Sequence, residues 1–173
     1  MKLRAPLAIA AVTVTGLIVG IASPAAAADS DTNTTFALTG GDLTLAVQAT
    51  ATLTDSTSGT TAITGNLGLV SVTDERGGTA AWNVSAASTG FTGIGGGSTS
   101  SAVSYTAGVV TESGTITVAD GTATTISDVA VSVVSPTSLS GNNTASWTPV
   151  LDVTMPAGAL TDDYSGVVTT SIL

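Results

Sequence analysis

A serine or threonine hydroxyl becomes a nucleophile only when a neighbouring base takes its proton. This sequence is rich in both hydroxyls but contains no histidine and no cysteine, and its one lysine is Lys2. The usual activating base, the usual thiolate and the commonest metal ligand are therefore missing together. Paired carboxylates are the remaining route to hydrolysis. The two acid pairs, Asp74/Glu75 and Asp162/Asp163, both stand in turn-forming sequence, where acids are ordinarily solvated. Calcium takes oxygen ligands alone, yet no D-x-[DN]-x-[DN]-G loop occurs. The expectation is no catalytic residue, no cofactor and no metal.

Two other residue types can still recognise a ligand. Six aromatics occur: Phe36, Trp82, Phe91, Tyr105, Trp147 and Tyr164. Exposed rings stack on sugars, which makes Trp82 and Trp147 the candidate ligand-binding residues. Trp147, beside Asn142-Asn143 and Pro149, is expected to be partly exposed. Trp82, which shares a strand face with Ala80, Val84 and Ala86, is expected in the core, as are Phe91 and Tyr164. The other unusual residue is Arg76, within Asp74-Glu75-Arg76-Gly77-Gly78. Its planar fork suits a carboxylate or several carbonyls. The expected partners are Asp74 or Glu75 within the turn, or acceptors on the C-terminal strands, with the bridge buried.

The elements that must position these residues read as strands. Leu43, Leu45, Val47, Ala49, Ala51 and Leu53 alternate with mostly polar residues, the period of a half-buried strand. Shorter strands are expected at Phe36–Thr39, Leu67–Thr73, Ala80–Ala87, Ala102–Thr106, Thr115–Val118, Asp128–Ser135, Ala145–Trp147, Val150–Met155 and Tyr164–Ile172. Asp74–Gly78 is expected to join two of them as a hairpin, and Thr92–Ser101 and Pro136–Asn143 to be loops. No segment keeps helical apolar spacing over three turns. The expected fold is all-β, a single antiparallel β-sandwich without significant helix after the N-terminal segment.

That N-terminal segment has its own pattern. Lys2 and Arg4 precede an apolar run from Leu7 to Ala22, and Ala26-x-Ala28 precedes Asp29. A basic, an apolar and a small-residue region in that order form a secretory signal. The run is sixteen residues, short of the ~20 needed to span a bilayer. Residues 1–28 are therefore read as a cleaved signal peptide and 29–173 as one domain, with no membrane span after cleavage. No cysteine follows the run and no sorting motif closes the chain, so covalent tethering is not expected. The mature chain carries all twelve acids against Arg76 alone, a formal charge of −11. Nucleic acid is excluded as a partner, because phosphate contacts need Lys and Arg.

Val72-Thr73-Asp74-Glu75-Arg76-Gly77, then Ala81-Trp82-Asn83-Val84 and Phe91, resemble the first conserved block of the WxL domain of Gram-positive cell-surface proteins. That block reads V-x-D-x-R-G, G-W-x-L and F. Met155-Pro156-Ala157-Gly158, Tyr164-Ser165-Gly166 and Val168-Thr169 resemble the second, which ends in another W-x-L. Here Val84 replaces the Leu of the first motif, and Thr170 stands where the second Trp is expected. The resemblance implies structural roles for Asp74, Arg76, Gly77, Trp82, Pro156 and Tyr164. It also implies an exported, non-enzymatic all-β protein held non-covalently on the cell wall, with peptidoglycan as ligand. The alternatives are a structural subunit or adhesin that binds other surface proteins, and a secreted carbohydrate-binding module.

Overall fold

β-branched and apolar residues at alternate positions set the architecture, because each strand must bury one face and solvate the other. A computed structural model describes residues 32–173, which are all-β without helix. The signal peptide expected at 1–28 and the mature start expected at Asp29 lie outside the described residues. Among the described residues thirteen strands form in order: β1 (Leu43–Ala46), β2 (Ala62–Asn66), β3 (Val70–Asp74), β4 (Val84–Ser88), β5 (Thr92–Gly93), β6 (Ala102–Thr106) and β7 (Thr111–Val118). They continue with β8 (Thr124–Ile126), β9 (Val131–Val134), β10 (Pro136–Trp147), β11 (Val150–Thr154), β12 (Tyr164–Ser165) and β13 (Val168–Ile172).

All pairings are antiparallel. One four-stranded sheet has the order β1-β3-β10-β7 and a second the order β2-β11-β6-β8. A three-stranded sheet, β13-β4-β9, and the two-stranded β5-β12 complete the unit spanning Leu38–Leu173. The inward faces share one core. Val70, Val72, Ala145 and Trp147 come from the first sheet, Val103, Tyr105, Leu151 and Val153 from the second, and Val84, Ala86 and Val134 from the third. This is a sandwich-type fold in which strands are added to close one core. No helix among the described residues is long and apolar enough to cross a membrane.

The chain changes sheet twice at one corner. β2 belongs to the second sheet and β3 to the first, so Leu67–Leu69 make the crossing; β10 and β11 make the reverse crossing through Thr148-Pro149. The two crossings hold each other, with the Leu67 amide donating to the Pro149 carbonyl at 3.0 Å. Gly68 lies in the left-handed region at φ 86°, and a Cβ there would stand 2.4 Å from Gln48 Cγ, so only glycine fits.

Several local expectations are corrected. Phe36–Thr39 pairs with nothing in a strand and is exposed. The alternation over Leu43–Leu53 is paired only as far as Ala46, because β3 begins at Val70 and the residues before it are crossing from the other sheet. Strand β2 was not expected at all. Asp74–Gly78 is not a hairpin, since β3 and β4 belong to different sheets. Pro136–Asn143 is not a loop but the first two-thirds of the longest strand. Its register shifts between Pro136 and Ser138 and again between Ser140 and Asn143, and such bulges break the alternation that marks a strand in sequence.

Candidate functional site

Asp74 closes β3 at a buried position and Arg76 follows it in the turn. The Arg76 fork reaches back: Nε donates to Asp74 Oδ1 and Nη2 to Oδ2, both at 2.9 Å. The Arg76 amide also donates to Oδ1 at 3.1 Å, and Nη2 reaches the Ala80 carbonyl at 2.9 Å. One carboxylate and one guanidinium thus tie residues 74–80 into a closed knot. Of the expected partners the knot uses Asp74, and the second acceptor is Ala80, not a C-terminal strand. Asp74 is sealed, at 2% exposure, whereas the Arg76 side chain keeps 30%, so the pair is buried on one side only.

Arg76 holds the Asp74 carboxyl below the usual carboxylate range, chiefly by side-chain hydrogen bonding and against the opposing effect of burial. The same bonding raises the guanidinium. Gly77 and Gly78 both take positive φ, 69° and 72°, and the Gly78 carbonyl accepts from the Gly141 amide at 2.8 Å. The knot is therefore pinned to the bulge of β10.

Neither tryptophan offers a face to a ligand. Trp82 is 2% exposed and lies in the core with Val84 and Ala86, although Ala80 on the same nominal face is exposed. Trp147 is also 2% exposed, which corrects the expectation of a partly exposed ring. As the last residue of β10 it falls on the inward phase set by Asn143 and Ala145. Its indole N–H crosses between sheets to the Tyr105 hydroxyl at 2.9 Å. The Trp82 indole nitrogen is buried without a protein partner. Replacing Trp82 by Phe removes an unsatisfied donor, whereas the same change at Trp147 strands a buried hydroxyl. Trp82→Phe is accordingly expected to melt closer to the parent than Trp147→Phe in paired thermal scans.

The two sequence blocks meet. β4 pairs with β13, setting Ala86 opposite Thr170, and β5 pairs with β12, setting Gly93 opposite Tyr164. A Cβ on Gly166 would stand 2.9 Å from the Phe91 ring, so a bare backbone is needed there. Pro156 is exposed and its carbonyl accepts from the Ala159 amide at 2.9 Å, closing a turn. The Tyr164 hydroxyl donates to the Leu160 carbonyl at 2.7 Å. Asp162 spans the loops, with Oδ2 accepting from the Gly95 amide at 2.7 Å and Oδ1 from the Asp163 amide at 2.9 Å. This acid pair is thus part of a loop clamp. Among the described residues, no group of three or more acids converges in a metal-binding arrangement.

Two open concavities flank this region. The larger, about 610 Å³, lies between Ala51–Thr60 and Ala159–Gly166. Hydroxyls of Thr52, Thr54, Ser56 and Thr57 line it with the carboxylates of Asp55 and Asp163, and the half-buried Phe91 and Tyr164 also border it. The smaller, about 280 Å³, is a groove between Val47–Leu53 and β13, with Leu67, Val70, Phe91 and Pro149 also bordering it. Thr170 lines this groove. Sequence reasoning missed both concavities, because each is made by segments far apart in the chain; the one local signal was the hydroxyl- and acid-rich turn at Asp55–Gly59. No family model, curated protein or solved structure matches the chain.

Proposed function

We propose that the protein is exported and associates non-covalently with the cell wall, with peptidoglycan as the polymer it meets, and that it carries out no catalysis. The observation that carries this reading is the larger cleft. With both tryptophans in the core, a wall polymer must be met elsewhere. The cleft is open, polar and lined by side chains that hydrogen-bond to sugars. Its threonine and serine hydroxyls match glycan hydroxyls and amides, and Asp55 and Asp163 match the ammonium groups of stem peptides. Two half-buried rings at its border supply apolar contact. The resemblance to WxL domains and the N-terminal signal pattern point the same way.

Sedimentation with purified, protein-free walls tests the reading. The exported chain is expected in the pellet. Asp55→Lys and Asp163→Lys, at exposed positions, are expected to shift it several-fold toward the supernatant without changing the melting temperature. A parent chain that stays in the supernatant overturns the proposal. Variants retained as well as the parent remove the cleft as the contact.

A further inference from the structure

We infer that the protein associates with a second copy of itself by strand addition, the segment Phe36–Thr39 of one molecule docking in the groove between Val47–Leu53 and β13 of another. This does not rest on wall binding.

The groove has two edges ready for pairing. Val47, Ala49, Ala51 and Leu53 continue the strand alternation of β1, yet the β1–β3 register stops at Ala46. Among the described residues, no backbone hydrogen bond pairs Val47–Leu53 with another segment; the next such bond is from the Thr54 amide to the Thr64 carbonyl. Residues 47–52 are exposed, so their amides and carbonyls are open to a partner. On the other side, β13 is the end strand of its sheet, with β4 as its partner. An open edge with a free row of donors and acceptors is a template for another strand.

The occupant is indicated by complementarity. Phe36 and Leu38 are each 92% exposed, the most exposed large apolar side chains among the described residues. They stand two apart, so in an extended strand both fall on one face while Ala37 and Thr39 take the other. The groove offers that face an apolar lining of Leu53, Leu67, Val70 and Phe91. Charge selects the same pair. Residues 32–39 carry no ionisable side chain, and neither does any residue lining the groove. Two copies of a chain this acidic repel, and neutral segment on neutral groove is where they can approach. The shape is heterologous, since segment meets groove, so the contact propagates from copy to copy unless it is reciprocated.

The chain lacks cysteine, which makes the test direct. The exported chain is examined by sedimentation velocity over a concentration series, with and without added salt, beside the variant Phe36→Asp/Leu38→Asp. The parent's sedimentation coefficient is expected to rise with concentration, more so in salt, which screens the acids. The double variant is expected to stay monomeric with an unchanged melting temperature, since both side chains are exposed. In parallel, Leu38→Cys and Ala49→Cys chains are mixed under mild oxidation, and a disulfide between the two different chains is expected to dominate over like-with-like products. A parent that remains monomeric throughout overturns the inference, as does association that survives Phe36→Asp/Leu38→Asp. A third chain carrying both Leu38→Cys and Ala49→Cys whose disulfide closes only within single molecules also overturns it, by showing that the segment folds back on its own molecule.

Discussion

Trp147→Ala is expected to cost about 3–5 kcal/mol, the range for removing a large buried aromatic. Trp147 heads the largest fully buried side chains, at the sheet-crossing corner beside buried Pro149. The substitution opens a cavity between two sheets and leaves the Tyr105 hydroxyl without the indole N–H that reaches it. Chemical denaturation should show the midpoint falling with the slope unchanged if the native state stays compact. Trp147→Phe separates the two contributions, because it keeps most of the ring and deletes the N–H. The Tyr105 phenol is pushed up by burial and held down in part by that N–H. Its folded-state pKa lies above the unfolded value of ~10, so its contribution holds below that pH and is lost as pH rises through the folded value. In Trp147→Phe the phenolate loses a donor, so Tyr105 should titrate at higher pH still when followed by phenolate absorbance. An unshifted titration would mean that the indole does not hold the hydroxyl in solution.

Asp74→Asn is the second large effect, expected at about 2–3 kcal/mol near neutral pH. That lies below the ~3–5 kcal/mol of a fully buried pair, because Arg76 still reaches water. The direction with pH distinguishes this from simple packing loss. Asp74 has its folded-state pKa lowered. Its contribution is therefore fully present above the unfolded carboxylate value of ~3.9 and is lost as pH falls through the lower folded value. The stability gap between parent and Asp74→Asn should stay constant down to mildly acid pH and then close. A gap that persists unchanged at the acid end would assign the cost to shape alone. Arg76→Lys should also be clearly destabilised, since an ammonium cannot make the paired Nε and Nη2 contacts and also reach Ala80.

The all-β class was legible because Thr, Val and alternating apolar residues leave no helical period to compete. The knot was partly legible, since a lone cation two residues from an acid in a glycine turn has few other partners. That Asp74 is the buried member was not, because its burial depends on β1 and β10 flanking it at Leu43 and Asn143. Trp147 was misjudged for a related reason. Its exposure was read from the polar residues before it, whereas the bulges of β10 reset the phase, so that Asn143, Ala145 and Trp147 face inward together. The strand alternation past Ala46 was real as a pattern. Pairing, however, needs a neighbour that periodicity alone does not supply.

The knot around Arg76 also bears on how the chain meets proteases. Proteases of tryptic specificity cut after Lys or Arg, and from Asp29 onward the Arg76–Gly77 bond is the sole such site. A protease must draw several residues into an extended, accessible conformation, yet here the side chain it would grip is held by Asp74 and Ala80, and the following glycines turn sharply. Cleavage then waits on opening of the knot, and its rate reports that opening. The folded domain is in effect silent to trypsin-like enzymes, and one nick at Arg76 is a sensitive marker that this part of the core has come apart.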